Sequence, residues 1–172
     1  MNLIQKNLVN IYINNNTTIK YIFNGSNEAN TCYGKRIISS KSKNKYIWKI
    51  KLIQGYGEIN IGIDDAKAIN CNENIYVKRN EREGLYGFYC KSGYAFAWNS
   101  YHNHLGYPQF KKPEDILIIT LDLRSEKSKL IFKINKNGRK FVLFENILRR
   151  KGLYYRLAIT MFHDEEILQL VP

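Results

Sequence analysis

The chain has 172 residues, the length of one typical domain, which is enough to bury a sizeable core. Hydrophobic residues make up 44% of it and aromatic residues 13%, a composition that excludes an intrinsically disordered chain. The formal net charge of +12 is compatible with an anionic partner, although charge bears on solubility and nonspecific binding rather than on fold.

Residues 1–16 have neither a basic start nor a continuous apolar run, and no later stretch reaches the ~20 apolar residues that span a bilayer. We therefore expect a monomer of the cytoplasm or nucleus that does not bind membranes. Cys32, Cys71 and Cys90 are odd in number and widely spaced, which fits neither a disulfide framework nor a zinc site. We expect reduced thiols, at least two of them packed, and no metal or cofactor.

Alternating apolar residues predict β-strands along the chain, and no segment carries a helical stripe. In 46–52 the side chains of Trp48 and Ile50 share one face and Lys49 lies on the other, and in 129–134 Phe132 points inward in the same way. The predicted strands span residues 9–13, 18–23, 46–52, 58–63, 85–90, 94–98, 116–123, 129–134, 141–144, 154–161 and 166–171.

Two of these segments carry further signals. The strand 116–123 is apolar on both faces, which predicts a central strand covered on both sides. Asn137-Gly138 predicts a tight hairpin between its flanking strands, because both residues tolerate a positive φ. Many short strands separated by turns indicate an all-β protein, a β-sandwich of two antiparallel sheets. We expect one domain over residues 1–172, in which strands from the first 45 residues complete the sandwich.

Two basic runs account for much of the charge. Lys35–Lys51 contains seven basic residues and no acidic one, and Lys127–Lys151 contains nine against Glu145 alone. Either run could form a patch that attracts phosphate groups. Lys, Asn, Ile and Tyr, whose codons are rich in A and T, are all over-used, so genome base bias gives the same excess without any function. Both interpretations stay open from the sequence.

Short motifs follow one another in a fixed order: Tyr46-Ile47-Trp48-Lys49-Ile50-Lys51, Ile61-Gly62-Ile63, Tyr86-Gly87-Phe88, Leu121-Asp122, Asn137-Gly138 and Tyr155-Arg156-Leu157-Ala158-Ile159. This series resembles the SPRY (B30.2-type) domain family over about residues 46–171. The resemblance implies a concanavalin A-like jelly roll. The chain departs from the family at some turns, as at Glu114, where the family usually has Gly before an Asp.

The resemblance implies a non-catalytic module that holds a peptide or protein surface in a shallow cleft of loops. By resemblance, the contacts come from Gly25, Ser26 and Asn27 in the loop before the Trp strand, from Tyr76, and from Phe162. The Arg-x-Pro-x-Ala pattern of one peptide-binding branch is absent here, which argues against the Asn-rich ligand of that branch. Such domains commonly choose substrates for ubiquitin ligases or act as scaffolds.

A second aromatic region adds candidate contact residues, because exposed loop aromatics offer a large contact area at low entropic cost. We expect the loops 24–30, 64–76 and 94–107 to gather with Phe162 at one end of the sandwich. The alternative is that each ring packs beneath its own loop. The candidates of this region are Tyr94, Trp98, Tyr101 and Tyr107.

Catalytic patterns are weak. His102-Asn103-His104 has no acidic partner or helix nearby, and Gly55-Tyr56-Gly57 lacks the helix of a phosphate loop. His163-Asp164-Glu165-Glu166 has no accompanying nucleophile motif and is typical of a charged hairpin tip. The sequence therefore predicts no enzyme but a protein-recognition module. Two alternatives remain: a nucleic-acid-associated module using runs 35–51 and 127–151, and a carbohydrate binder with Asp64-Asp65 near Tyr76.

Overall fold

The computed structural model describes residues 3–4, 11–14, 18–21, 29–67, 74–76, 83–98, 107–135, 138–162 and 166–172. Fourteen strands occur within these ranges, and none of the described residues forms a helix that could cross a membrane. The strands are β1 (Leu3–Ile4), β2 (Ile11–Asn14), β3 (Thr18–Tyr21), β4 (Asn30–Gly34), β5 (Ile38–Ser39), β6 (Lys45–Gln54), β7 (Ile59–Asp65), β8 (Tyr86–Tyr89), β9 (Tyr94–Ala97), β10 (Ile116–Asp122), β11 (Lys129–Ile134), β12 (Lys140–Glu145), β13 (Tyr154–Met161) and β14 (Ile167–Val171).

The described strands form two antiparallel sheets of seven strands each. Sheet I has the order β1-β4-β13-β7-β8-β9, and β5 also pairs with β13. Sheet II has the order β12-β11-β10-β6-β14-β3-β2. The predicted β-sandwich of two antiparallel sheets is confirmed, and the strands on either side of the predicted Asn137-Gly138 turn, β11 and β12, pair antiparallel. Asn137 itself lies outside the described residues.

The core lies between the two sheets, and its large side chains come from both. Trp48 of β6 and Phe132 of β11 are each 2% exposed, so the predicted inward faces of these strands are confirmed. The Phe132 ring meets the ring of Phe88 from sheet I edge to face, with 5.1 Å between centroids. Aliphatic residues fill the space around them, including the fully buried Ile61 of β7. Cys32 and Cys90 are both buried in this core, so the expectation that at least two of the cysteines are packed is confirmed.

Sheet I is also covered on its outer face. A second buried cluster contains Tyr33, Ile75, Leu85, Phe96 and Ala158, with Tyr76 and Tyr94 packed against it. Ile75 and Leu85 belong to the connection between β7 and β8, so the described residues 74–76 and 83–85 of this connection contribute side chains to the outer face of the sheet.

Some strands differ from the sequence-based prediction. β1, β4 and β5 were not predicted, because β4 is buried at all five positions and shows no alternation, and the other two are only two residues long. The segment 116–123 is central, between β11 and β6, but it is not covered on both sides as predicted. Its inward residues are buried and its outward residues are half-buried, since Ile118 lies between Lys49 and Lys133 on a face that lysine stems shield only in part.

Candidate functional site: an aromatic pocket on sheet I

A pocket of about 400 Å³ opens on the outer face of sheet I, at the end where β7 begins and β13 finishes. We call it the aromatic pocket, because four of its described lining residues carry rings. Ligand pockets in proteins commonly have volumes of roughly 300–1,000 Å³. The residues that line it are Asn60, Asn74, Tyr76, Tyr89, Tyr94 and Phe162.

Strand register brings most of these residues together. Thr160 of β13 pairs with Asn60 of β7, Asn60 pairs with Tyr89 of β8, and Tyr89 pairs with Tyr94 of β9. Residues in register on antiparallel strands point to the same face, so these four side chains form a row across the outer surface. Phe162 follows Thr160 by two residues and continues that face beyond the last residue of β13.

The neighbouring row explains how the rings are supported. Gly62 and Gly87 occupy the middle of that row, and a Cβ atom at Gly87 would collide with the ring of Phe96. The absent side chain lets the Phe96 ring lie over the sheet, fully buried. Tyr76 then packs on it edge to face, with 5.1 Å between ring centroids. The Gly of the Tyr-Gly-Phe motif therefore has a steric function beneath the pocket.

The segment 74–76 is held to the sheet by hydrogen bonds. Asn60 donates its side-chain amide to Asn74 Oδ1 over 3.1 Å, and the backbone N–H of Tyr76 donates to the same oxygen over 2.9 Å. The N–H of Ile75 donates to Thr160 Oγ1 over 3.3 Å. These bonds fix the position of Tyr76, whose ring also meets that of Tyr94 at 5.9 Å.

Tyr89 forms the opposite wall of the pocket. Its hydroxyl donates to Glu58 Oε2 over 2.8 Å, its ring meets that of Phe162 edge to face at 6.3 Å, and Glu58 also pairs with Lys91. Burial raises the pKa of Tyr89, and the hydrogen bond to Glu58 and the charges of Glu58 and Glu166 raise it further. The Tyr89 hydroxyl therefore keeps its proton and stays anchored to Glu58.

Glu166 lies beneath this wall, and its position corrects the expectation of a charged hairpin tip. It is 1% exposed, and its Oε1 accepts the N–H groups of Tyr56 and Glu58 over 3.0 Å and 2.9 Å. Gly55, with a φ of 113°, lets the chain turn close to the carboxylate. Burial raises the pKa of Glu166, and the backbone donors offset part of this rise. Residues 163–165 lie outside the described residues.

The structure brings together three of the aromatic residues singled out from the sequence, namely Tyr76, Tyr94 and Phe162. Trp98 is 38% exposed and follows β9 at the end away from Tyr94, roughly 13 Å along the strand direction. The prediction that Trp98 gathers with the other aromatics is therefore wrong. Along β9 the chain crosses from one end of the sheet to the other, so the residues just before and just after β9 lie at opposite ends. Four candidates lie outside the described residues: Gly25, Ser26, Asn27 and Tyr101.

Tyr107 is placed elsewhere as well. Its ring contacts Phe88 at 6.5 Å and Phe141 at 6.1 Å between centroids, and its hydroxyl lies 3.5 Å from the carbonyl oxygen of Val142. It packs against the main core between the sheets rather than in the aromatic pocket. Tyr107 is therefore a partly buried ring of the main core and not a residue of the aromatic pocket.

Three lining residues were missed in the sequence. Asn60 is a polar residue between the inward Ile59 and Ile61 of β7, and Tyr89 occupies the outward position next to inward Phe88. The sequence pattern showed both features. A polar residue that is buried among apolar ones, such as Asn60, needs a hydrogen-bond partner. Asn74 carried no such signal, since it belongs to an irregular connection whose return to the sheet follows from three-dimensional contacts.

The candidate sugar-binding carboxylate is not near the pocket. Asp64 is fully buried four residues beyond Asn60 on β7, towards the other end of the sheet. It accepts the hydroxyl of Tyr33 over 3.3 Å and the N–H of Asp65 over 2.8 Å. Asp64 therefore does not line the pocket with Tyr76 and is not accessible to a sugar. Among the described residues, no group of histidine, cysteine and acidic side chains could hold a metal ion.

The two basic runs converge on the outer face of sheet II, because β10 pairs with both β6 and β11. A row across this face contains Lys49, Ile118, Lys133 and Lys140 in register. Ile47 and Val142, on the same face, are 48% and 40% exposed. Carboxylates balance part of the charge, as in the pairs Lys51–Glu114 at 2.5 Å and Lys129–Glu145 at 2.8 Å.

No protein-family model and no curated protein matches the sequence. Solved structures do match the fold. The SPRY domain of human HERC1 aligns with a TM-score of 0.66 and 12% identity, covering 93% of this chain and 91% of that one. A second human SPRY domain aligns with a TM-score of 0.64 and 14% identity over 94% of each chain. The NHR domain of Neuralized from Drosophila melanogaster aligns at 0.60 and 12%, covering 95% and 86%.

These alignments span nearly the whole chain, and the described strands are arranged in the same two-sheet jelly roll. The chain is therefore a SPRY-like β-sandwich, as the order of its sequence motifs predicts.

Proposed function

We propose that this SPRY-like domain is a protein-recognition module that binds a peptide or protein surface in the aromatic pocket. The observation that carries the proposal is the convergence of Tyr76, Tyr94 and Phe162, from three separate parts of the chain, on one pocket of about 400 Å³. Aromatic side chains in a concave site are common binding anchors, because they bury a large area at low entropic cost.

The proposal assigns no chemical step to this site. The described lining groups are phenols, a phenyl ring and carboxamides, and the phenol of Tyr89 is held protonated by burial and by Glu58. Such groups orient a ligand through contact and hydrogen bonds and do not generate a nucleophile. The domain acts as a substrate adaptor or scaffold in this account, in the cytoplasm or nucleus, and Gly25, Ser26, Asn27 and Tyr101 stay proposed contact residues on the sequence resemblance and the aromatic pattern alone.

Affinity capture from the source cells tests this proposal. Wild-type domain should retain a partner protein that both Tyr76→Ala and Phe162→Ala lose. Trp98→Ala is the matched control, because Trp98 is an exposed aromatic on the same sheet but away from the pocket. Retention by both pocket variants, or equal loss in the Trp98 control, would contradict recognition through this pocket.

A second candidate function is nucleic-acid association through sheet II. The observation in its favour is that strands from both basic runs, β6 and β11–β12, present lysines on one continuous face. On that face, strands β6, β10, β11 and β12 offer Ile47, Ile131 and Val142 between the lysines and no aromatic ring on which bases could stack. This favours the pocket as the primary site, and binding to RNA and DNA at two salt concentrations separates the two candidates.

A further inference from the structure

The hydrogen bonds of Asn74 fix the orientation of the Asn60 side chain in the wall of the aromatic pocket. The backbone N–H of Tyr76 donates to Asn74 Oδ1, so the Asn74 carboxamide cannot be turned round without setting two donors against each other. Asn60 bonds to the same oxygen over 3.1 Å and can do so only with its Nδ2 donor. The Oδ1 atom of Asn60 is therefore directed away from Asn74.

This Oδ1 atom is a buried acceptor that lacks a donor. Asn60 is 2% exposed and lines the pocket, and its Oδ1 accepts no hydrogen bond from the described residues. A buried carbonyl oxygen that has lost its bonds to water and gained no other is unfavourable, and most such atoms in native proteins have a partner. An N–H group of a bound molecule would supply the missing hydrogen bond.

Tyr89 gives the same wall a second acceptor. Asn60 of β7 and Tyr89 of β8 pair in register, so their side chains are neighbours on the outer face of sheet I. The Tyr89 hydroxyl donates its single proton to Glu58 Oε2 over 2.8 Å. The oxygen of that hydroxyl can then accept a hydrogen bond from a ligand but cannot donate one. Two adjacent oxygen atoms of this wall therefore favour a ligand that is a donor.

The rings of the pocket favour an aromatic body around that donor. Tyr76 and Tyr94 meet edge to face at an interplanar angle of 73°, an arrangement that a further aromatic ring can extend. Among neutral side chains, only tryptophan combines a large aromatic body with an N–H donor and no acceptor. A carboxamide or a hydroxyl also has lone pairs that lose their bonds to water on entry, so it would need a donor from the pocket as well.

We propose that the aromatic pocket takes the indole ring of a tryptophan on the bound peptide, with the indole N–H donated to Asn60 Oδ1. This inference rests on the proposed function and adds the chemistry of the ligand to it. The indole packs among the rings of Tyr76, Tyr94 and Phe162, in a space of about 400 Å³.

The decisive test compares two bicyclic rings of the same shape. The wild-type domain is titrated with indole and with benzofuran, in which oxygen replaces the N–H group, and binding is followed by NMR shifts. Indole should bind roughly fivefold more tightly, because only indole can donate to Asn60 Oδ1. Apolar transfer alone favours benzofuran, since it gives up no N–H bond to water. Equal or tighter binding of benzofuran would overturn the inference, and so would failure of both to bind.

Benzamide distinguishes an indole ligand from a carboxamide. Weaker binding of benzamide than of indole supports the assignment of tryptophan. Tighter binding of benzamide would overturn that assignment and identify a carboxamide ligand instead. Any of these contrary results leaves partner capture by the pocket to be decided by the Tyr76, Phe162 and Trp98 variants, so the inference and the proposed function fail separately.

A pair of variants separates the acceptor of Asn60 from its structural contact. Asn60→Ala removes both Oδ1 and the hydrogen bond to Asn74, and it should make the affinities for indole and benzofuran equal. Asn74→Ala is the matched control, because it breaks the same hydrogen bond but leaves Asn60 Oδ1 in place. The control should therefore keep the roughly fivefold preference for indole. Loss of the preference in both variants, or in neither, would contradict the acceptor role of Asn60.

Discussion

Glu114 is a position at which this chain differs from the SPRY sequence pattern that it resembles. Its φ is 73°, in the left-handed region that favours glycine, and its backbone N–H donates to the carbonyl of Leu52 over 2.7 Å. The SPRY motif usually has Gly at this turn before the Asp. The structure supplies the reason, because the turn into β10 requires a positive φ. In this chain the strained position is occupied by Glu114, whose side chain forms an exposed ion pair with Lys51.

The strain at this turn predicts an order of stability among variants. Glu114→Gly should unfold with a free energy about 1 kcal/mol higher than Glu114→Ala, because both lose the ion pair but only glycine relieves the left-handed strain. Urea unfolding of the two variants measures this difference. Equal midpoints, or a more stable alanine variant, would contradict the conformation at this turn.

The family resemblance was enough to select two residues that the structure brings together in the aromatic pocket, but it could not select residues whose position depends on packing alone. Tyr76 and Phe162 were selected by their place in the motif order, and both line the pocket. Asn74 and Tyr89 were not selected, because their importance depends on a connection that folds back over sheet I. Tyr107 was selected for its loop position but is packed against Phe88, a contact that no sequence pattern reveals.

Strand β6 shows how the alternation of apolar and polar residues fixes the register of one strand. Trp48 pairs in register with Ile119 of β10 and is 2% exposed, in the middle of the sandwich. A one-residue slip would move it to the solvent face together with every other inward side chain. Strands with one solvated face, such as β6 and β11, could be predicted from their alternation. β4 could not, because a strand buried on both faces shows no alternation.

Trp48→Ala should therefore lower the free energy of unfolding by about 3–5 kcal/mol, the range for truncating a large buried aromatic. Such a loss approaches the whole stability of a small domain. Urea denaturation measures it, with Ile47→Ala on the exposed face as the control. A Trp48→Ala midpoint within error of the parent would show that the register is wrong.

The turn between β6 and β7 is coupled to pH through Glu166. Burial raises its pKa above the ordinary value of 4.5, so the folded state favours the protonated acid. The stability from this group is fully present below about pH 4.5 and is lost as the pH rises through the raised folded-state pKa. As the pH rises from about 4.5 through the raised pKa of Glu166, the free energy of unfolding of wild type should fall relative to that of Glu166→Gln. Parallel curves of unfolding free energy against pH would contradict a raised pKa.

At the scale of the whole molecule, the two sheets carry different surfaces. Sheet I has a covered outer face with an aromatic pocket, and sheet II has an outer face of lysines and β-branched residues. The order of motifs was enough to predict the sandwich, since each motif is a strand or a turn of it. Which residues share an end of the sandwich depends on the direction of each strand, and the expectation for Trp98 failed because β9 separates it from Tyr94.

The lysines on the outer face of sheet II lead to a prediction about nucleic-acid binding. If its lysines are a solvated and compositionally biased surface, binding to RNA and DNA should be weak and should vanish near physiological salt, because it rests on counterion release alone. Fluorescence anisotropy at about 0.05 M and 0.15 M salt measures this. A submicromolar, sequence-dependent dissociation constant at the higher salt would favour the second candidate function instead.

The central claim is that the aromatic pocket binds a protein partner, and calorimetric titration of the captured partner into purified variants tests it most directly. Tyr76→Ala and Phe162→Ala should each weaken binding by about 1–3 kcal/mol, as expected for the loss of an aromatic anchor, with urea midpoints close to that of the parent. Trp98→Ala should bind like wild type. Full affinity in both pocket variants, or loss of affinity that only follows unfolding, would contradict the claim.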